Sequence, residues 1–414
     1  MTSIFGRLRA AVLPAIAAAG LAAWMATPAQ AKDIRFVVSE YSSKTGPFFQ
    51  KVAQDYEKLH PDVHVKIEVI PWNNLLQQLT TDIAANSAPD MAIIGTRWLY
   101  DFTSQKVAEP LDSYMTPQFK AQFINALSAP STIGGHLMGL PVAASARAMM
   151  VNLDLFKKAG ATPPKTWDEL FAAAQKISKL PGTFGFGLQG KEIETDAYYY
   201  YALWTFGGDI FTKDGKSGLA SPDAITAASF YRKLITDKLT QPTPTDYNRE
   251  EVFNLFKQGK VGMIFTFPML IPQLKSEAPN LHYAVMPIPV KKREATYGVT
   301  DTLIMFNSSK VKKDVFDFIK FSYQEKYRSE FDRAEGFLPV TKAVAAEAYY
   351  KTNPDIAAFA AGLAYAKFAP IVPNWEEMAD ATIRNLQQIY LGQVDPATGM
   401  KTAAKQVDEI RARH

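Results

Sequence analysis

The sequence contains no cysteine among its 414 residues. Disulfide bonds, thiolate nucleophiles and thiolate metal ligands are therefore excluded. The same absence excludes the lipid-bearing cysteine that anchors many secreted bacterial proteins. Long apolar runs are also scarce, since no segment beyond residue 31 is long and apolar enough to span a bilayer.

The N-terminus carries the one strongly apolar stretch. Arg7 and Arg9 precede an almost wholly apolar run over 10–25, and Pro-Ala-Gln-Ala follows at 28–31. Alanines stand there at both positions that a signal peptidase reads. A membrane helix is the weaker alternative, because the run is short and precedes a cleavage site. We predict a secretory signal peptide over 1–31, and hence a protein that diffuses freely in the periplasm with no lipid anchor.

Neither sign of charge is in large excess. The chain has 45 basic and 41 acidic residues, a formal net charge of +4, which gives no electrostatic reason to expect nucleic acid as a partner. An apolar content of 47% with 12% aromatic residues is typical of a folded protein. Because a chain of this length exceeds one simple core, we predict two lobes.

Hydrophobic periodicity predicts alternating strands and helices in the first third of the chain. Strands are predicted over 34–38, 63–70 and 91–95, with a helix over 47–59 between the first two. A second helix is predicted to begin with Asn73 as its cap. This order is typical of an α/β fold, in which helices flank a sheet.

Capping signals and apolar runs predict the later elements. The sequence from Thr166 to Glu169 is a capping box, and Ser221-Pro222 is a second helix start. The remaining predictions are strands over 261–267 and 281–286, a helix over 314–331 and a mostly helical tail over 355–414.

The sequence contains partial matches to motifs for catalysis and cofactor binding, but the flanking elements that such sites need are missing. The glycines at 185–190 match GxGxxG, but a turn precedes them and a charged segment follows, so we predict a Gly-rich strand or loop rather than a dinucleotide site. His60 and His64 have a zinc-like spacing, but Pro61 intervenes, so we predict no metal site there. A nucleophile elbow is absent, and nothing marks a pair of facing carboxylates. We predict no catalytic residue, metal or cofactor, and therefore no enzyme.

Several segments resemble, in their order along the chain, the maltose-binding-like family of extracellular carbohydrate-binding proteins of ABC importers. Each segment alone is weak evidence of the family, but their ordered combination is specific for it and covers nearly the whole chain after residue 31. The segments are WNNLLQQLTTDIAANSAPDMAIIGTRWL (72–99), GLPVAASARAMMVNLDLFKKAG (139–160), PPKTWDEL (163–170), FGGD (206–209), FKQGKVGMIF (256–265) and GFLPV (336–340).

The resemblance implies two α/β lobes that are joined by hinge strands, with a ligand cleft between the lobes. One lobe is expected over 32–143 plus 302–335, and the other over 148–298 plus 340–414. Proteins of this class close on their ligand by a hinge motion. The implied partners are a carbohydrate and an inner-membrane permease with cytoplasmic ATPase subunits. The chain itself has no P-loop and is expected to be a monomer.

Sugar sites combine aromatic rings, on which sugar faces stack, with charged or amide groups that bind hydroxyls. In open α/β sheets ligands lie beyond the carboxyl ends of strands. The candidates after predicted strands are Tyr41, Ser42, Trp72, Thr96 and Arg97. Their alternative roles are an exposed loop for Ser42, partial burial for Tyr41, a hydrophobic staple for Trp72 and pairing with Asp101 for Arg97.

The predicted hinge crossings carry three further candidates. Ser145 aligns with a family position that is acidic in the maltose binder, which puts a maltose-like ligand in doubt. Arg147 lies two residues on, along the same face of an extended strand, and a structural ion pair is its alternative role. Asp301 lies at the second crossing, where a hinge-stabilising hydrogen bond is the alternative.

The aromatic run TDAYYYYALWTFGGD (195–209) resembles a family helix that faces the cleft. Some of its rings are expected to pack in the core and one or two to meet the ligand. The candidates are Asp196, Tyr199, Tyr200 and Gly207, although Asp196 could serve only as a cap. Elsewhere Met269 stands where the family usually has a tryptophan, and bulkier groups replace the family's glycines, which suggests a smaller cleft. Phe267 is the candidate to substitute as a stacking surface. Phe337 lies in a further cleft-edge loop, and Trp375 could stack on the ligand or pack in the core.

The sequence thus predicts a periplasmic protein that captures a mono- or disaccharide or a small glycoside. A polyol, a glycerophosphodiester or an anionic sugar is the alternative ligand, favoured by Arg97 and Arg147. The alternatives from other classes are a secreted carbohydrate-active enzyme and a structural periplasmic protein.

Overall fold

The computed structural model describes residues 32–191 and 194–413, so the predicted signal peptide over 1–31 lies outside the described residues. Strands make up two main sheets and one short hairpin. In chain order the strands are β1 (Lys32–Glu40), β2 (Val63–Pro71), β3 (Met91–Gly95), β4 (Thr132–Ile133), β5 (His136–Leu137), β6 (Leu140–Ala146), β7 (Ala148–Asn152), β8 (Phe184–Gly187), β9 (Val261–Thr266), β10 (Tyr283–Met286), β11 (Thr296–Met305) and β12 (Ala366–Lys367).

Helices alternate with these strands and cover the sheets. They are α1 (Thr45–Glu57), α2 (Trp72–Ala84), α3 (Leu99–Ser104), α4 (Pro117–Ala121), α5 (Asn125–Ser128), α6 (Leu153–Ala159), α7 (Trp167–Ile177), α8 (Thr195–Thr205), α9 (Pro222–Thr236), α10 (Arg249–Lys257), α11 (Leu270–Glu277), α12 (Lys312–Ser322), α13 (Glu325–Glu335), α14 (Lys342–Ala345), α15 (Ala348–Thr352), α16 (Pro354–Gly362), α17 (Trp375–Leu391) and α18 (Pro396–Arg411).

The first sheet has the order β12-β11-β3-β1-β2, with β6 paired to β11. β1 runs parallel to β2 and β3, whereas β11 runs antiparallel to β3 and β6. Alternate residues of β1 pack on both faces: Phe36 contacts Phe49 of α1, while Val37 belongs to the apolar cluster that contains Leu75 and Leu79 of α2. β3, whose residues are all buried, is accordingly a continuous apolar run, MAIIG.

The second sheet has the order β10-β7-β9-β8. The Gly-rich motif predicted as a strand or loop forms β8 and the turn after it. A side-chain carbon added at Gly185 would lie 2.3 Å from the Cα atom of Ala174 in α7, so this glycine allows the helix to approach the strand.

The chain passes between the two sheets at neighbouring places. β6 continues into β7 through Arg147, whose backbone N–H donates to the carbonyl of Tyr297 in β11 at 3.2 Å. β11 pairs with β6 from Gly298 to Leu303 and is the second connection. A third segment lies beside them, where the N–H of Leu338 donates to the carbonyl of Ala144 in β6 at 2.8 Å and forms an isolated bridge. The predicted lobe limits fall on or beside these connections, and the lobe boundaries remain a prediction.

Most predicted elements are present within one or two residues of their expected ends. The capping box of Thr166 and Glu169 forms with both of its hydrogen bonds, and Ser221 caps α9. The cap predicted at Asn73 is wrong, because α2 already begins at Trp72 and follows Pro71, whose extended backbone sets the helix start.

The single helix predicted over 314–331 is also wrong, because it is two helices. α12 ends at Ser322, and Gln324 is extended before α13 begins. The reason is packing, since the Tyr323 hydroxyl donates to the carbonyl of Pro141 in β6 at 2.8 Å. That contact holds the chain against the first sheet while the helix axis changes direction.

We expect Gly185→Ala to lower the free energy of unfolding by about 1–3 kcal/mol, because a methyl group there must displace the backbone of α7. Gly362→Ala is the matched control, since the nearest atom to an added carbon there lies at 3.4 Å, an ordinary contact. Chemical denaturation followed by circular dichroism measures both. Equal denaturation midpoints for the two variants would contradict this account of the glycine.

Candidate ligand-binding cleft

A cavity that we call the main cavity of the cleft lies where the chain passes between the sheets, with an empty volume of about 580 Å³ that includes space open to solvent. Its walls come from the end of β3, the start of α2, the middle of β11 and the crossing residue Arg147. This is the carboxyl edge of the parallel strands, where ligands of open α/β sheets lie.

Two smaller chambers share residues with the main cavity. The hinge chamber, of about 390 Å³, is bounded by Tyr41, Asp301 and Phe337. The aromatic chamber, of about 230 Å³, is bounded by the rings of Tyr198, Tyr201, Phe265 and Phe267, among others. Arg147 and Glu194 border all three spaces, so we treat these spaces as one cleft.

Stacked aromatic rings form one wall of the cleft. Trp72, at the start of α2, stacks on Trp98 with ring centroids 5.0 Å apart and on Tyr41 at 6.5 Å. Trp98 is buried, whereas Trp72 is half-buried and borders the main cavity. The arrangement fixes the indole of Trp72 as a rigid apolar surface.

Arg97 joins the two sides of the cleft. It follows β3, and its guanidinium pairs with Glu376 of α17 through Nε and, at 3.2 Å, through Nη2. Nη2 also lies 3.3 Å from Oδ2 of Asp196 in α8. Burial opposes the charge of Arg97, but Glu376 and Asp196 outweigh burial and raise its pKa well above the ordinary value. Burial also raises the pKa of both carboxyls, against the effect of Arg97.

Arg147, Glu194 and Arg249 form a second charged group, which we call the guanidinium cluster. Nη1 of Arg147 donates to Oγ of Ser145 at 2.6 Å, and Nη2 lies 3.5 Å from Oε1 of Glu194. Nη1 of Arg249 donates to Oε2 of Glu194 at 3.1 Å. Both guanidiniums lie over the ring of Phe267, 4.3 Å and 5.3 Å from its centroid.

Asp301 is a buried carboxyl on β11. The hydroxyl of Tyr41 donates to its Oδ2 at 2.6 Å. Its Oδ1 has no hydrogen-bond partner among the described residues. Burial raises the pKa of Asp301 to about 7, partly offset by the hydrogen bond from Tyr41. The carboxyl of Asp301 therefore changes between its neutral and charged forms close to physiological pH.

The structure brings most of the predicted site residues together. Those that border the cleft are Tyr41, Trp72, Thr96, Arg97, Ser145, Arg147, Phe267, Asp301 and Phe337. Thr96 is nevertheless engaged elsewhere, since its hydroxyl meets those of Thr302 at 2.5 Å and Thr300 at 3.0 Å. Asp196 is fully buried and reaches the cleft only through Arg97.

The other predicted residues lie outside the cleft walls. Ser42 is in the turn before α1 and borders a separate surface depression. Gly207 forms a turn beside Asp223, with a φ of +108° that favours glycine. Trp375 is buried, and its ring packs behind Arg97 at 5.6 Å from the guanidinium carbon.

The tyrosine run forms α8, in which every residue is buried. Such a helix, apolar on all sides, is surrounded by protein. Tyr199 donates its hydroxyl to the carbonyl of Ala224 at 2.9 Å, and Tyr200 stacks on Trp204 and Tyr297. These two tyrosines are therefore core residues, whereas their neighbours Tyr198 and Tyr201 border the aromatic chamber.

Sequence reasoning missed Glu194 and Arg249. Arg249 is the first residue of α10 and lies inside a capping box that Asn248 forms with Glu251, and this helix-start pattern is visible in the sequence. Glu194 offered none, because it lies in a charged segment of ordinary appearance. In the described part of the chain, no group of three or more acidic or histidine side chains is placed to hold a metal ion.

The comparisons with known proteins identify the family. The profile described as "Bacterial extracellular solute-binding protein" matches residues 40–329. A relative from Brucella abortus is 53% identical over 390 residues, which cover 93% of this chain and 95% of the relative. The chain belongs to the family of bacterial extracellular solute-binding proteins.

More distant relatives agree with this assignment. The maltotriose-binding protein of Pyrococcus abyssi is 28% identical over 79% of this chain and 70% of its own. The structure of an ABC transporter solute-binding protein from Thermotoga lettingae, bound with α-D-tagatose, superposes with a TM-score of 0.85 at 23% identity, covering 92% of this chain and 99% of that one.

The two-lobe α/β fold predicted from the sequence is thereby confirmed. The family and the fold are those of binding proteins rather than of enzymes. The family is extracellular or periplasmic. Among the described residues, every helix is too short or too polar to cross a membrane.

We expect Asp301→Asn to stabilise the ligand-free protein at pH 8 but not at pH 4. The pKa of Asp301 is about 7 in the folded protein against an ordinary 3.8, so the folded state binds this proton more tightly than the unfolded state does. Wild-type stability therefore falls by a few kcal/mol as pH rises from about 4 to about 7, and asparagine removes that loss.

Urea denaturation across this pH range measures the difference. Asp33→Asn, at an exposed position, is the control and should not change the pH profile. A constant difference between Asp301→Asn and wild type at all pH values would show that Asp301 keeps its ordinary pKa.

Proposed function

We propose that the protein captures a small carbohydrate in the periplasm and delivers it, chemically unchanged, to the permease of an ABC importer. The observation that carries the proposal is the composition of the main cavity. Its lining combines the indole of Trp72, which stacks on Trp98, with charged side chains, namely those of Arg97, Arg147, Glu194 and Asp301. Sugars need both chemistries, because their ring faces are apolar and their rims carry hydroxyls.

The proposed ligand is a mono- or disaccharide or a small glycoside. The names of the relatives support the class, since one is a maltotriose-binding protein and a structural neighbour is bound with tagatose. Those ligands belong to the relatives and are not assigned to this chain.

Lobe closure is the motion that would enclose the ligand. Arg97 comes from the side of the first sheet, while its partners Asp196 and Glu376 come from helices that pack with the second. Opening the lobes would separate these charges, and closing would bring them together around the ligand. We propose that the closed form docks on the permease as a monomer, and that the protein itself does no catalysis.

A thermal-shift screen tests the proposal. The Tm of protein expressed from the full chain is measured in the presence of neutral sugars, polyols, sugar acids and sugar phosphates. A ligand that binds only the folded state raises Tm, by an amount equivalent to about 2.7 kcal/mol at a hundredfold excess over Kd. Each hit should also reduce the radius of gyration in solution scattering and be recovered unchanged after prolonged incubation. Conversion to a product would favour an enzyme, and no hit in any carbohydrate class would sink the proposal.

We expect Trp72→Ala to weaken binding of the carbohydrate found in that screen by about tenfold or more, equivalent to roughly 1.4 kcal/mol. The physical reason is the loss of the stacking surface. Phe171→Ala is the matched control, because it removes a half-buried ring of α7 that borders none of the cleft spaces. Isothermal titration calorimetry measures both variants, and equal affinities would remove Trp72 from the site.

A further inference from the structure

The segment between β12 and α17 forms one side of the main cavity. Its sequence over 368–373 is Phe-Ala-Pro-Ile-Val-Pro, which has no polar side chain, and each of these residues is half-buried. We call this segment the apolar strap. Phe368, Ala369 and Ile371 border the main cavity, whereas no residue of the strap borders the hinge chamber or the aromatic chamber. The strap therefore belongs to the part of the cleft that the two chambers do not share.

Both ends of the apolar strap are fixed to other elements. Before the strap, β12 pairs with the start of β11. After the strap, the backbone N–H of Asn374 donates to Oδ1 of Asp101 at 3.2 Å, and α17 begins at the buried Trp375. Between these points the backbone over 369–371 forms no hydrogen bond with another described residue. The position of the strap is thus set by its ends and by the packing of its side chains.

The two largest side chains of the strap differ in their packing. Phe368 lies directly over β11, because a side-chain carbon added at Gly298 would lie 2.6 Å from Cζ of its ring. Ile371 packs against none of the three hydrophobic clusters that the described residues form, although it is half-buried and borders the main cavity. The aliphatic surface of Ile371 is therefore available to a ligand in this cavity.

The polar side chains of the main cavity already have partners in the protein. Thr300 donates its hydroxyl to that of Thr96 at 3.0 Å, and Arg97 and Arg147 pair with carboxylates. A ligand hydroxyl must compete with these bonds, and a hydroxyl buried against the strap would find no partner among its side chains, which costs free energy. An apolar group incurs neither cost, and its burial is favourable. The strap side of the cavity therefore favours a ligand group without hydroxyls.

The shape of the strap distinguishes two kinds of apolar ligand surface. Sugar faces stack on flat rings, and Trp72 supplies such a ring in the same cavity. Ile371 is branched and aliphatic, so it offers no flat face. Contact with it is non-directional, which suits the burial of an alkyl or aryl group.

We propose that the apolar strap binds an alkyl or aryl substituent of the ligand, while the rest of the main cavity holds a sugar ring. The inference rests on the proposed function and narrows the ligand to a glycoside with an apolar substituent. A disaccharide is the poorer ligand, because its second sugar would bury hydroxyls against the strap.

Matched methyl and phenyl glycosides test this subsite. The probes are both anomers of the methyl and phenyl glycosides of D-glucose, D-galactose and D-mannose, so that the members of a pair differ only in the apolar group. In each pair that binds, we expect the phenyl member to bind the wild type about tenfold or more tightly than the methyl member. Its heat-capacity change on binding should also be more negative, because more apolar surface is buried. Isothermal titration calorimetry at several temperatures measures both quantities.

Ile371→Ala should reduce the preference for the phenyl member to about threefold or less, because it removes most of the aliphatic surface. Ile225→Ala is the matched control and should keep the wild-type preference. It shortens a half-buried isoleucine of α9 that borders none of the cleft spaces. A full wild-type preference in Ile371→Ala would overturn the role of the strap.

The same titrations separate this inference from the proposed function. Equal affinities of the wild type for the methyl and phenyl members would overturn the apolar subsite and retain carbohydrate capture. Phenol alone serves as the probe for the opposite case. If phenol binds as tightly as the phenyl glycosides and no sugar raises Tm, the apolar subsite is retained and carbohydrate capture fails. Absence of binding by every glycoside, by phenol and by every sugar in the screen would overturn both.

Discussion

The antiparallel pairing of β6 with β11 is the interaction on which the rest of the molecule depends. β11 also pairs with β3, so the same strand completes the first sheet and carries the chain toward the second. Ser145 and Asp301 lie on this pair of strands, and Arg147 lies directly after it. The cleft residues therefore keep their mutual positions because one ladder of backbone hydrogen bonds holds them.

Pairing of buried charges stabilises the walls of the cleft. Buried ionic groups are costly unless they are paired. Arg97, Arg147 and Arg249 meet this condition through carboxylates of the protein itself, chiefly Glu376, Asp196 and Glu194. The charged side chains that border the cleft thus bind one another in the structure, and a ligand that contacts them must compete with these carboxylates.

The sequence predicted well what depends on local periodicity and failed where the answer depends on contacts distant in the chain. The strands of the first sheet, the capping box at Thr166 and the cleft positions that follow strands could all be predicted from residues near each other. The role of the tyrosine run could not be predicted, because α8 is buried on every side and no face of this helix differs enough to mark the cleft. Glu194 and Arg249 are 55 residues apart and became a site only through folding.

The neighbouring connections between the sheets also bear on how two lobes could move. A single connecting strand would permit rotation about several axes as well as twist about itself. β6 and β11 are instead hydrogen-bonded side by side, and Leu338 forms a bridge to Ala144 of β6. A connection of this width resists sliding and twisting more than it resists bending, so a hinge bend is the softest relative motion that it allows.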